Sequence, residues 1–198
     1  RPYSRFKPTQ FAIDLYDETM DSRYQAYWRD TWYAVVDAGN IMIGDTAFYL
    51  PKQMWSKDQI GSKEYMVFNP EFSESIGSDY SKVNNRVYVQ MKKFDDVKRL
   101  TMNETKGTRD WVCFRVAEAY LLAGEAYFRA GKQDEAVKFI NELRRNCAID
   151  GKEQEMEIAA SDLSIDFILD ERARELCGEG KRWYDLKRLG KLIERTSK

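Results

Sequence analysis

From Trp111 onward the apolar positions fall at helical spacing. Phe114, Ala117 and Leu121 are followed by Gly124, Tyr127 and Phe128, mostly three or four residues apart. This predicts a helix over 111–130, closed by Gly131 in the left-handed position after its C-terminus. A second helix is predicted over 133–145 and antiparallel to the first, with Ala136, Val137, Ile140 and Leu143 on its buried face. The polar stretch 147–162, with Gly151 and Ser161-Asp162, predicts a loop. A third helix is expected over 163–177, broken by Gly178 and Gly180, and a short fourth over 182–193. Trp183 follows that break and is expected to be buried between the last two helices.

Tyr120, Gly124, Tyr127, Gly131, Ala136 and Ile140 follow the tetratricopeptide spacing. Small Gly124 and Ala136 let two helices approach closely, and the tyrosines fill the groove beside them. One such pair cannot bury both of its faces and needs neighbours.

Residues 1–110 have a different texture. Turn signals are dense at Lys7-Pro8, Gly39-Asn40, Asn69-Pro70, Gly77-Ser78 and Asn84-Asn85. Short apolar runs, Ala47–Leu50 and Arg86–Val89, predict brief strands or extended loops. One early helix is predicted over 9–17, with Thr9 as its N-cap. The chain therefore divides into a loop-rich segment, 1–110, and a helical region, 111–198. The fold class is mostly α: a tetratricopeptide-like helical scaffold with a loop-rich extension.

Composition narrows the function. Lys+Arg number 32 and Asp+Glu 33, a net charge of −1, so no basic excess favours nucleic acid. There is no histidine, which removes the commonest general base and metal ligand. Cys113, Cys147 and Cys177 are odd in number and widely spaced, so they read as small buried apolar groups rather than a disulfide or zinc framework. No metal and no cofactor is expected. No apolar run is long enough to cross a bilayer.

Several motifs carry a family resemblance. Arg115–Gly131 reads RVAEAYLLAGEAYFRAG, and Ile140-Asn141-Glu142-Leu143-Arg144 follows. Then come Asp170-Glu171-Arg172-Ala173-Arg174-Glu175-Leu176 and Glu179-Gly180-Lys181-Arg182-Trp183-Tyr184-Asp185-Leu186. Weaker matches are Pro8-Thr9, Asp21-Ser22-Arg23-Tyr24, Lys92-Lys93-Phe94 and Arg109-Asp110. In this order they resemble the SusD/RagB family of nutrient-binding outer-membrane lipoproteins. The family's lipidated N-terminal cysteine and the first half of its scaffold have no counterpart, so the chain reads as the C-terminal part of such a protein.

The resemblance implies a surface glycan-binding protein that captures oligosaccharides for a SusC-like TonB-dependent transporter. It implies no enzyme, and a place at the outer membrane through a lipid anchor upstream of this chain. Rival readings are a peptide-binding importer subunit of the same fold, a tetratricopeptide scaffold for protein assembly, and a glycoside hydrolase.

A hydrolase needs two carboxylates across a cleft. Glu171, Arg172, Arg174 and Glu175 include pairs three or four apart, which predicts ion pairs along one helix instead. Glu179 and Arg182 are expected to join them across the glycine break. Glu118 and Glu125, seven apart, predict a salt-bridged helix surface with Arg115 and Arg129. Flat aromatic rings stack on the apolar faces of sugars, while Arg, Asn and Asp bind the hydroxyls. Trp28, Trp32 and Tyr33 are assigned to the core. Tyr3, Phe6, Trp55 and Tyr65, set among polar and turn residues, are the candidate stacking groups, with Arg5 as a hydroxyl-binding partner.

Overall fold

The computed structural model describes residues 7–69, 88–101 and 107–196. By their contacts they form two units. The first takes residues up to Asp14 and Gln25–Thr108; the second takes Leu15–Tyr24 and Arg109 onward.

The first unit holds helix α1 (Gln10–Asp14), strands β1 (Trp28–Arg29), β2 (Thr31–Tyr33) and β3 (Thr46–Tyr49), helix α3 (Lys57–Gly61) and strands β4 (Met66–Val67) and β5 (Gln90–Met91). Helix α2 (Arg23–Tyr27) straddles the division between the units. β1 pairs antiparallel with β5. β2 pairs antiparallel with β3, and β3 parallel with β4. Helix α1 is shorter than predicted. Thr9 Oγ1 accepts from the Ala12 amide at 3.3 Å, as an N-cap does, but a turn closed by Asp17 follows soon after. Helix α3 begins with a capping box between Ser56 and Gln59.

The predicted strand over 47–50 is β3, shifted by one residue. Of the run 86–89, Arg86 and Val87 lie outside the described residues, and the strand forms just after it, at β5. Trp28 and Trp32, which share a helical spacing, lie on strands instead; Trp28 is buried, Trp32 half-buried and Tyr33 exposed.

The second unit is helical. Helices α4 (Val116–Arg129) and α5 (Gln133–Asn146) form the predicted hairpin. Gly131, at φ 74°, closes α4. Its amide donates to the Phe128 carbonyl and that of Lys132 to the Tyr127 carbonyl, each at 3.0 Å, the pattern of a Schellman cap. Gly124 does face α5: a Cβ there would stand 2.8 Å from Ile140 Cδ1. Tyr127 stacks on Phe139 with ring centres 5.4 Å apart, and Tyr120 tilts against the same ring. The core gathers Leu121, Ala136, Ile140, Leu143, Leu163, Ile168 and Leu176.

Helix α4 starts five residues later than the apolar spacing predicts. Arg115 is the extended residue before it, and Trp111 and Phe114 are exposed. The predicted loop 147–162 carries a 3-10 turn at Ala160–Asp162 and an isolated bridge from Ala148 to Asp21. Helix α6 (Ile165–Glu175) follows, with Ser164 Oγ accepting from the Phe167 amide. The predicted last helix is two, α7 (Arg182–Arg188) and α8 (Leu192–Thr196), because Gly190 at φ 68° caps the first.

Trp183 is not buried; it is 66% exposed. On α7 the inward face carries Asp185 and Leu186, and Arg172 Nε holds Asp185 Oδ2 at 2.8 Å. That anchor turns Trp183 and Tyr184 away from the core.

Segment Leu15–Tyr24 belongs with these helices. The Ile149 amide donates to the Met20 carbonyl, and the Ser22 amide and hydroxyl both donate to the Cys147 carbonyl. Arg174 Nε donates to the Leu15 carbonyl, and the Tyr16 hydroxyl to that of Arg174.

Candidate functional site

The charged motifs build a lock, not a catalytic pair. Glu171 is fully buried on α6. Its Oε1 accepts from Arg23 Nη1 at 2.7 Å; its Oε2 accepts from Arg144 Nη1 and Arg174 Nη1, each at 2.6 Å. Arg23 also holds both oxygens of Asp21 and reaches Glu175 Oε2. Arg115 spans Glu175 and Glu179. Only the Arg174–Glu171 contact runs along one helix, as the spacing predicts; Arg23–Asp21 is local to its own segment, and the others join separate elements. Arg182 Nη1 donates to the Leu169 carbonyl.

Burial opposes ionisation of Glu171, but the guanidiniums of Arg23, Arg174 and Arg144 overcome it and hold the carboxyl at about 2. A carboxyl that stays ionised at neutral pH does not serve as a general acid.

Glu118 and Glu125 also depart from the expected surface role: both are buried. Arg129 does pair with Glu125, at 2.9 Å. The stronger partner is Arg188 on α7, whose two terminal nitrogens clasp both Glu125 oxygens at 2.5 and 2.6 Å. Burial works against ionisation of Glu125, yet Arg188 and Arg129 keep its carboxyl below the usual range. Glu118 lies 3.0 Å from Lys181 Nζ, while Arg115 turns to Glu175 and Glu179.

The cysteines divide. Cys113 is exposed, against expectation; Cys147 and Cys177 are half-buried. Burial pushes the Cys147 thiol up to about 12.

Two cavities among the described residues lie in the first unit. Tyr3, Arg5 and Phe6 lie outside the described residues. Trp55 is half-buried against Tyr49, with ring centres 5.4 Å apart, and Lys63 Nζ stands 5.6 Å from its ring centre. Asn69 clamps its backbone, accepting from the Trp55 amide at 2.8 Å and donating to its carbonyl at 2.9 Å.

Tyr65 lines a cavity of about 450 Å³ with Asn40, Ile41, Asp45, Thr46 and Glu64. Its lining residues include one phenol, one amide, one aliphatic hydroxyl and two carboxylates. The loops that present them are tightly tied. Ala38 and Ile41 exchange two backbone hydrogen bonds around Gly39-Asn40, with Gly39 at φ 61°. Asp45 Oδ2 accepts from the Met42 amide at 2.8 Å. The cavity does not include Trp55, so the structure separates the two described stacking candidates.

Asn40, Asp45 and Glu64 were not singled out from the sequence. The Gly39-Asn40 turn signal marks Asn40 alone, and it gives no hint that the chain there shares a cavity with Tyr65. Among the described residues no three His, Cys, Asp or Glu side chains gather as a metal site, and no helix is long and apolar enough to cross a membrane.

The sequence pattern that defines the SusD family matches residues 2–198, and the chain belongs to that family. Two Formosa agariphila proteins are similar to it. SusD-like protein P38 is 36% identical over 88 residues, 42% of this chain. SusD-like protein P2 is 36% identical over 93 residues, 44% of this chain. Each alignment covers 18% of the relative, so the chain spans about a fifth of the length of these relatives.

Proposed function

We propose that the chain is part of a cell-surface glycan-binding protein whose loop-rich first unit recognises sugars. The observation that carries this reading is the Tyr65 cavity: an aromatic ring set among an amide, a hydroxyl and two carboxylates. A pyranose ring offers one apolar face and a rim of hydroxyls, which calls for this mixture. Trp55 is a separate stacking candidate. The protein captures oligosaccharides and passes them to a SusC-like TonB-dependent transporter at the outer membrane, where a lipid anchor upstream of this chain holds it. The role is capture rather than catalysis, in keeping with the family and with Glu171 locked as an ionised partner of three arginines.

Isothermal titration of the whole protein against a glycan panel and a peptide panel tests this. The reading expects at least one glycan to bind and the peptides not to. Peptide binding without any glycan binding would replace it with the peptide-importer reading.

A further inference from the structure

The charged side chains of the Tyr65 cavity are of one sign. Asp45 and Glu64 line it, and among the described residues no lysine or arginine does. Lys63, beside Glu64 in the chain, is engaged elsewhere: its Nζ stands 5.6 Å from the Trp55 ring centre, and Trp55 is not part of the cavity. Glu64 is exposed, and its carboxylate has no ion-pair or hydrogen-bond partner among the described residues. Asp45 is held in place by its backbone. Its carbonyl accepts from the Ala34 amide at 2.8 Å, and its amide donates to the Met42 carbonyl at 3.0 Å. One carboxylate oxygen accepts from the Met42 amide at 2.8 Å; the other has no partner among the described residues. The other cavity of the first unit, about 230 Å³, has no charged side chain in its described lining. Discrimination by charge therefore belongs to the Tyr65 cavity.

A carboxylate accepts hydrogen bonds and donates none. A neutral sugar meets it with hydroxyls alone. A protonated amine meets it with N–H donors that also carry the opposite charge. A cation is drawn as well to the face of an aromatic ring such as that of Tyr65. A uronate or a sulfated sugar would bring a further negative charge to a cavity with no cation in its described lining, and like charges repel.

We infer that the Tyr65 cavity selects its sugar by charge: it takes a protonated amino sugar, with the ammonium held by Asp45 and Glu64, and it rejects anionic sugars. The ring of Tyr65 and the amide of Asn40 hold the remainder of the sugar. This inference rests on the glycan reading of the cavity and adds to it the charge class of the ligand.

The test is ligand-observed NMR titration of the whole protein with matched pairs that differ only at C2. The pairs are glucose and glucosamine, galactose and galactosamine, and the β-1,4 tetramers of glucose and of glucosamine. Glucuronate and galacturonate are the anionic arm. Titrations run at about pH 6, below the ~8 of an ordinary α-amino group, so that the amines are protonated. Wild type is compared with Glu64→Gln, Asp45→Asn, Tyr65→Ala and Asp58→Asn. Asp58 is exposed on α3 and does not line the cavity.

In at least one pair the amino sugar should bind about three- to tenfold more tightly than its neutral partner, the range of one or two exposed charge contacts. The ratio should fall in about 0.5 M salt, which screens exposed charges. Glu64→Gln and Asp45→Asn should each bring the ratio toward one, Asp58→Asn should keep it, and Tyr65→Ala should weaken both members of the pair. If Asp45→Asn fails to fold, the exposed Glu64 still carries the test. Equal affinities within every pair overturn the charge inference, as does a uronate that binds most tightly, or a ratio that survives both Glu64→Gln and Asp45→Asn. In each of these cases the glycan reading stands, provided Tyr65→Ala still weakens binding. Affinities that all survive Tyr65→Ala, or no binding of any sugar, overturn both.

Discussion

Arg23 Nη1 donates to Glu171 Oε1 at 2.7 Å, joining two buried side chains that stand 148 residues apart in the chain. The contact fastens segment Leu15–Tyr24 to helix α6. Glu171 gathers three arginines, and Arg23 in turn gathers three carboxylates. Replacing such a cluster with apolar groups can be neutral, but removing one member strands the rest in a dry interior. Arg23→Ala should therefore cost about 3–5 kcal/mol in urea unfolding. A loss below about 1 kcal/mol, the range of surface pairs, would show that water reaches the cluster.

The same cluster sets an acid limit. Glu171 sits at about 2 in the folded protein against an ordinary 4.5. Its folded value lies below its unfolded one, so between them the unfolded chain binds more protons. The stability it contributes is complete above pH 4.5 and is lost as pH falls toward 2. Glu171→Gln should be less stable than wild type at neutral pH and should lose stability less steeply across that window. Urea midpoints measured at stepped pH read this directly. Equal slopes in the two proteins would assign the acid limit to other groups.

The hairpin makes a steric prediction. A methyl group at Gly124 would stand 2.8 Å from Ile140 Cδ1 and 3.0 Å from its Cγ1, and Ile140 is fully buried. Alanine favours a helix over glycine by up to about 1 kcal/mol, while overpacking costs about 1–3 kcal/mol. Gly124→Ala should be destabilising on balance, and adding Ile140→Val, which removes Cδ1, should recover part of the loss. A Gly124→Ala protein more stable than wild type in thermal melts would mean that the hairpin opens without cost.

Leu176 and Trp183 flank the glycine break and should respond in opposite ways. Leu176 is in the core and Trp183 is 66% exposed. Leu176→Ala should cost about 2–5 kcal/mol. Trp183→Ala should change stability by less than about 0.5 kcal/mol. Thermal melts that rank the two in reverse would contradict the observed orientation of helix α7.

These contrasts mark what the sequence makes legible. Helices α4 and α5 could be read because a 3.6-residue period and Gly131 are local signals. The close approach of the two helices at Gly124 and Ala136 could be read because small residues in a repeat pair have one principal use; that Ile140 is the group it meets could not. The exposure of Trp183 is not legible, because its neighbours give no sign of which face Arg172 draws inward through Asp185. The burial of Glu118 and Glu125 was hidden for the same reason. Their spacing is that of an ordinary exposed helix face, and Arg188 lies 63 residues from Glu125. Tyr65 stood out as an aromatic ring among polar residues. The Asn40 and Asp45 that share its cavity follow a turn whose place beside Tyr65 only the folded chain reveals.

The most direct test of the glycan reading lies at Tyr65 itself. Isothermal titration with the tightest-binding oligosaccharide should compare wild type, Tyr65→Phe and Tyr65→Ala, with a melting curve for each. Stacking requires the ring and not the hydroxyl. Tyr65→Phe should therefore stay close to wild-type affinity, and Tyr65→Ala should lose about three- to tenfold with little change in melting temperature. A Tyr65→Ala protein that binds as tightly as wild type would contradict the assignment of this cavity.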